Sequence, residues 1–172
     1  MRIVGGRHGG RDLTSPGGRV RPTAEEVRDR WLSWIAAELK GARVLELCAG
    51  TGAVGLEAIS RGAKTADFVE NNRSAIHSLK ANIAALREKK FTRVFVKDAI
   101  QFASQLGPDA YDLVLADPPY GSGIGPRLIA DWRELRYAPV FVLEHATDHK
   151  EIPNGARKLV LGDTSLTLFT LG

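Results

Sequence analysis

Between residues 43 and 116 the sequence alternates short apolar runs with segments of helical period, a rhythm that leaves few folds open. Strands are expected at 43–48, 65–70, 92–97 and 111–116, with helices at 53–61, 72–86 and 99–106 between them. Runs such as Val44-Leu45 and Leu113-Val114-Leu115-Ala116 lack polar alternation, as strands buried on both faces do, so the expectation is an α/β chain with a mostly parallel sheet and helices on both faces. A helix near 125–135 and a strand at 139–144 continue the pattern. Two closing strands, 157–161 and 166–171, flank the turn signal Gly162-Asp163-Thr164, and their hairpin would add an antiparallel strand near the C-terminus. Upstream, Thr23-Ala24-Glu25-Glu26 reads as a capping box. It opens a helix whose Val27, Trp31, Trp34, Ile35 and Leu39 recur at core-facing spacing.

At 172 residues, 44% of them hydrophobic, the chain can bury a full core as one domain over residues 23–172, preceded by a basic arm or β-hairpin at 1–22. Five arginines (Arg2, Arg7, Arg11, Arg19 and Arg21) face one acid, Asp12, in that segment, and their balance of +4 equals the net charge of the whole chain. Among glycines, such arginines suit an RNA phosphate backbone, although a solvated basic tail has the same composition. Met1 to Val4 begins like a strand that Arg11 to Leu13 could pair with. Nothing resembles a signal peptide or a bilayer span, so a cytoplasmic monomer without membrane contact is expected. A single cysteine, Cys48, excludes an internal disulfide and any multi-Cys metal site, and the four histidines lack ligand spacing, so no metal is expected.

Val44-Leu45-Glu46-Leu47 runs into Cys48-Ala49-Gly50-Thr51-Gly52 and then a helix, the arrangement of strand, Gly-rich loop and helix N-terminus that nucleotide cofactors use. Gly50, Gly52 and Gly55 satisfy a dinucleotide fingerprint, and Glu70 lies where an acid would hold ribose hydroxyls. Loop and acid alone do not separate NAD from S-adenosylmethionine, because both present an adenosine ribose. Asp117-Pro118-Pro119-Tyr120 does separate them. A carboxylate and the carbonyl ahead of a rigid Pro-Pro step can accept both protons of an exocyclic amine while the aromatic ring stacks on a base, and a dehydrogenase has no use for that. Both motifs follow strands, so both belong at the sheet's C-terminal end, where α/β folds bind ligands.

Glu46 to Ala63, Val69-Glu70-Asn71-Asn72, Asp117 to Tyr120 and Gly162 to Leu166 resemble the class I S-adenosylmethionine-dependent methyltransferases, which have a Rossmann-like sheet. Arg2 to Gly6 and Arg21 to Arg28 narrow the resemblance to the bacterial 16S rRNA guanine-N2 methyltransferase family, often called RsmD. The resemblance covers nearly the whole chain. It implies strand order 3-2-1-4-5-7-6 with the last strand antiparallel, and methylation of a guanine N2 amine in 16S rRNA, free or within a small-subunit assembly particle. It further implies that Ala49, Gly50 and Gly52 lie against the methionine part of the cofactor and Glu70 against both ribose hydroxyls. Asp98 would take the adenine amine with Ala99 beside it, unless it is simply the N-cap of the next helix. Glu46 and Asn71 join the cofactor set, and Asp117, Pro118, Pro119 and Tyr120 form the catalytic clamp. Relatives commonly carry Asp at 46, an aromatic at 48 and Phe at 120. Asp131-Trp132-Arg133 has no assigned place. The alternatives are an adenine-N6 methyltransferase, which uses the same clamp, and a catalytically silent RNA-binding protein, whose loop or clamp would ordinarily have decayed.

Overall fold

Burial on two faces explains the sheet. The computed structural model describes residues 1–16 and 22–172; Arg19, Arg21 and the side chain of the expected N-cap Thr23 lie outside the described residues. Seven strands, β1 (Arg43–Leu47), β2 (Thr65–Glu70), β3 (Thr92–Val96), β4 (Leu113–Ala116), β5 (Val140–Ala146), β6 (Arg157–Leu161) and β7 (Thr164–Thr170), form one sheet in the order β3-β2-β1-β4-β5-β7-β6. β1 to β5 pair in parallel, while β7 runs antiparallel between β5 and β6. Strand order and the inserted antiparallel strand agree with the expectation. Side chains alternate across the sheet with period two. Val44, Leu113 and Leu115 enter one apolar layer with Trp31, Leu56 and Phe68, whereas Leu45, Leu47, Val114 and Ala116 enter the other with Ile129, Trp132 and Phe141.

Helices cover both layers: α1 (Pro22–Trp34), α2 (Ala36–Leu39), α3 (Ala53–Ser60), α4 (Arg73–Leu86), α5 (Ala99–Ala103) and α6 (Ile124–Leu135). The single helix expected from Thr23 through Leu39 is broken at Ile35, whose ψ of 24° leaves the helical range. Asn72 caps α4 by accepting from Ala75 N, and Asp98 caps α5 by accepting from Gln101 N. Trp132 is buried in the second layer, where its indole N–H donates to the Ala138 carbonyl at 2.7 Å and its ring packs on Phe141 and Phe169. That anchor accounts for the unplaced Asp131-Trp132-Arg133. No described helix is long and apolar enough to cross a membrane.

The basic N-terminus is docked on the sheet's first layer. Arg2 and Asp12 form an antiparallel bridge, with Ile3 N donating to Arg11 O at 2.9 Å and Leu13 N to Met1 O at 2.7 Å. Ile3 and Leu13 are buried in the core. Beneath the turn lies the fully buried carboxylate of Glu57, which accepts from Val4 N and Gly5 N and pairs with Arg28 and Arg61. Four donors converging on one carboxylate offset the cost of burying its charge. Asn82 ties the hairpin to the Gly-rich loop: its Oδ1 accepts from Thr14 N at 2.6 Å and its Nδ2 donates to Thr51 O at 3.0 Å.

Candidate active site

Strands β1, β2 and β4 end side by side, so the loops that follow them meet. The first is the Gly-rich loop. Gly50 sits at φ +55°, a left-handed conformation that glycine adopts freely, and a Cβ there would meet nothing within 4 Å, so this bend of backbone faces open space. Gly55 serves the opposite purpose. A Cβ on it would fall 2.5 Å from the Phe68 ring and 2.7 Å from Glu46 Oε2, so only glycine lets α3 lie this close to the sheet. Glu46, on the same face of β1 as Val44, accepts from Gly55 N at 2.8 Å. It is buried beneath the loop, and burial pushes its carboxyl up to about 8, a rise that this backbone hydrogen bond partly offsets. The resemblance put Glu46 among the cofactor contacts; the structure puts it behind the loop, against α3.

Glu70, at the end of β2, holds the loop from the other side. One carboxylate oxygen accepts from Gly50 N at 2.7 Å and the other from Asn71 N and Asn72 N, both at 2.9 Å. A cavity of about 270 Å³ opens beside it, lined by Cys48, Glu70, Asn71, Asp98, Ala99, Asp117 and Pro119 among others. Four expected cofactor residues, Glu70, Asn71, Asp98 and Ala99, thus share one cavity although they come from two separate segments of the chain. Ala49, Gly50 and Gly52 are not in its lining, although Gly50 is tied to Glu70 at its edge. Cys48, expected as the last residue of the strand, sits just beyond β1 at φ +58°; it packs against the second apolar layer and also lines the cavity, with burial pushing its thiol up to about 12.

Asp117 and Pro119 also line a second, larger cleft of about 660 Å³, whose walls include Val27, Arg28 and Trp31 of α1, Val54 of α3, and Pro118, Tyr120, Glu144 and Thr164. Asp117 is reached by solvent within the clefts but crowded by protein elsewhere, and that desolvation raises its carboxyl above the usual range. Tyr120 projects into the cleft half-exposed, and its hydroxyl is fixed to Thr164 Oγ1 at 2.8 Å. That bond gives the tyrosine hydroxyl a partner at the start of β7, and it explains why Gly162 to Leu166 belongs with the site. Sequence reasoning missed Glu144. It follows the apolar run Val140 to Leu143 within β5, and only strand pairing brings it beside Asp117.

The arginines of the N-terminal segment have internal partners. Arg2 pairs with Glu25, Arg7 with Glu88, and Arg11 Nη2 donates to the Ala85 carbonyl at 2.9 Å. Arg2 and Arg7 keep more than half of their side-chain surface exposed, at 62% and 53%, so their remaining donors face solvent.

The family model described as "Conserved hypothetical protein 95" matches residues 1–166. The Ribosomal RNA small subunit methyltransferase D of Escherichia coli K12 is 38% identical over 127 residues, 72% of this chain but 62% of the relative's length. The solved structure of yhhF from Escherichia coli superposes with TM-score 0.85 at 31% identity, covering 99% of this chain and 97% of that one. A 16S rRNA N2 G1207 methyltransferase of T. Thermophilus, solved with AdoMet and guanosine, shares the fold at TM-score 0.71 and 20% identity, over 91% of this chain and 44% of its own. With residues 1–166 inside the family model and 99% of the chain superposing on the yhhF structure, the chain belongs to the ribosomal RNA small subunit methyltransferase D family and has the class I methyltransferase fold.

Proposed function

We propose that this protein transfers a methyl group from S-adenosylmethionine to the exocyclic N2 amine of a guanine in 16S ribosomal RNA. The observation that carries the reading is the position of Asp117 and Pro119 on the shared wall of two cavities. The smaller suits the cofactor. The open backbone bend at Gly50 is tied to Glu70 at its edge, while Glu70 and Asp98 in its wall supply acceptors for ribose hydroxyls and an adenine amine. The larger has the room and the aromatic wall for a base turned out of its stack.

When bound, the sulfonium supplies an electrophilic methyl, so the protein's task is to aim a nitrogen lone pair at it. Amine protons accepted by the Asp117 carboxylate and the Pro118 carbonyl would turn the N2 lone pair out of the ring and toward the smaller cavity. Tyr120, held by Thr164, supplies the stacking face. Asp117 need not be a strong base, because the amine becomes acidic only as the new N–C bond forms; its raised proton affinity lets it take the proton afterwards. Arg2, Arg7 and Arg11, with Arg19 and Arg21, would contact phosphates of the RNA around the flipped nucleotide.

The test is methyl transfer from labelled cofactor to unmodified small-subunit particles, naked 16S rRNA and duplex DNA, with the product nucleoside identified by mass spectrometry. N2-methylguanosine from the ribosomal substrates is expected. N6-methyladenine in its place would overturn the guanine assignment, and failure to transfer to any of them despite cofactor binding would overturn the enzymatic reading.

A further inference from the structure

Glu144 has no part in the transfer just described, yet it stands in the same cleft as the clamp. Ala116 of β4 pairs with Leu143 of β5 in parallel register, so the next residues, Asp117 just beyond β4 and Glu144 still within β5, lie side by side. Strands in a sheet lie about 4.8 Å apart, so two carboxylates in this arrangement repel one another unless donors intervene. Burial raises both carboxyls above their ordinary range, and the Asp117 charge raises Glu144 further. Arg28 is the only Lys or Arg side chain among the described residues lining the cleft, and it is committed to Glu57 at 3.1 Å and to the Arg2 carbonyl. Tyr120, with its hydroxyl on Thr164, only partly offsets the rise at Glu144. A pair of carboxylates so placed does not suit a phosphate. It suits a flat ligand edge carrying several N–H donors side by side.

Among the amine-bearing bases, guanine alone presents such an edge. Its N2 amine is flanked by the N1–H donor, whereas the adenine N6 and cytosine N4 amines are each flanked by a ring nitrogen with a lone pair. We propose that Glu144 accepts the N1–H of the target guanine while Asp117 accepts from the N2 amine, which makes Glu144 the residue that selects guanine over other amine-bearing bases. A donor at that position favours the ionised carboxylate, while above about pH 8, where Glu144 is ionised without help, a ring lone pair there faces a like charge; that is the range in which the selection is read. The inference rests on the guanine-N2 reading above.

2-Aminopurine separates the two. It keeps the N2 amine but has a bare ring nitrogen at N1. Synthetic RNA carrying either guanine or 2-aminopurine at the methylated position, once product mapping has located it, would be compared at fixed cofactor concentration. Wild-type protein is expected to prefer guanine by roughly 10- to 100-fold in kcat/KM, the range that loss of a hydrogen bond to a charged group implies. Glu144→Gln, whose amide can donate to a bare nitrogen, should bring the ratio to within about 3-fold, with S-adenosylhomocysteine affinity unchanged. Glu144→Ala should lose the preference without gaining activity on 2-aminopurine. Equal wild-type rates on the two bases would overturn the inference, as would a guanine preference that survives in both variants, since a purely structural role slows both substrates alike. Where a variant does not fold, the wild-type ratio and the other variant decide. Should the wild type yield only N6-methyladenine, the underlying function fails instead, an outcome distinct from N2-methylguanine formed without selection by Glu144.

Discussion

The two cavities on either side of Asp117 solve the problem of buried charge in opposite ways. In the smaller one the carboxylates are already partnered by backbone: Glu70 takes three N–H groups and Asp98 takes Gln101 N. In the larger one Asp117 and Glu144 share a wall without a dedicated cation among the described residues, and both carboxyls are raised. The first is preorganised, so a ligand entering it finds its acceptors aimed. The second stores an electrostatic cost that only the correct donor edge removes. A cavity of the first kind supports binding, and one of the second kind supports discrimination.

The sharpest test of that division is Asp117→Ala. Removing the amine acceptor should lower single-turnover methyl transfer by about 10³-fold or more, the scale of losing a positioned catalytic acceptor. S-adenosylhomocysteine affinity, measured by calorimetry, should stay within about 3-fold, because the partnered carboxylates lie elsewhere. Equal falls in binding and turnover would show that Asp117 belongs to the cofactor side and would erase the distinction.

Glu70→Gln should produce the reverse pattern. An amide can keep one backbone N–H but not three, and it accepts more weakly from hydroxyl groups. Cofactor affinity should fall by about 10- to 100-fold, while turnover at saturating cofactor changes by less than about 5-fold. A turnover defect that saturating cofactor does not repair would mean that Glu70 supports the amine pocket through Gly50.

The two cavities were unequally legible in the sequence, for a physical reason. The smaller is marked by chain-local signals: an acid closing a strand, Asp98 in the position of an N-cap, and, at its edge, the loop that bends at Gly50 and Gly52. The clamp at 117–120 is local as well. Glu144 is not, because Val140 to Leu143 reads like any buried strand and its closing acid like a solvent-facing end; the register with β4 gives that acid a neighbour. The N-terminal arm was legible in its pairing, since Met1 to Val4 does meet Arg11 to Leu13, but its docking on the body was not. Its composition is that of a loose basic tail, but the partners that dock it, Glu57, Ser60, Asn82 and Glu88, lie more than fifty residues away. Glu57 sits in an apolar helix face where nothing in the local pattern announces four donors.

A smaller effect is expected at that docked arm. Arg2→Ala and Arg7→Ala together should weaken binding of 16S rRNA about uniformly across sequences, and should lower the slope of log affinity against log salt by about 1 for each phosphate that is no longer neutralised. Filter binding over a salt series reads both quantities. An unchanged slope would confine these arginines to their pairs with Glu25 and Glu88.

The smallest expected effect on binding concerns Glu46, which lies behind the preorganised cavity rather than in it. Its carboxyl, raised from 4.5 to about 8 mainly by burial, binds a proton more tightly in the folded chain than in the unfolded one. Folding therefore draws stability from the protonated form. That contribution is full below about 4.5, declines as pH rises, and is gone above about 8, because the unfolded state then loses nothing by ionising while the folded state must bury a charge. Glu46→Gln keeps an acceptor for Gly55 N and has no charge to bury. Wild-type melting temperature should thus fall relative to the variant by on the order of ten degrees between about pH 5 and 8.5, the scale set by about 1.4 kcal/mol for each pH unit between 4.5 and 8 in a domain of this length. Cofactor affinity should be equal in the two proteins within about 3-fold throughout, since the acid acts on the packing of α3 against β1. A variant that lost affinity without changing the pH dependence of melting would move Glu46 out from behind the loop and into the cavity, and the preorganised side would then have one carboxylate as exposed to its ligand as those across the wall.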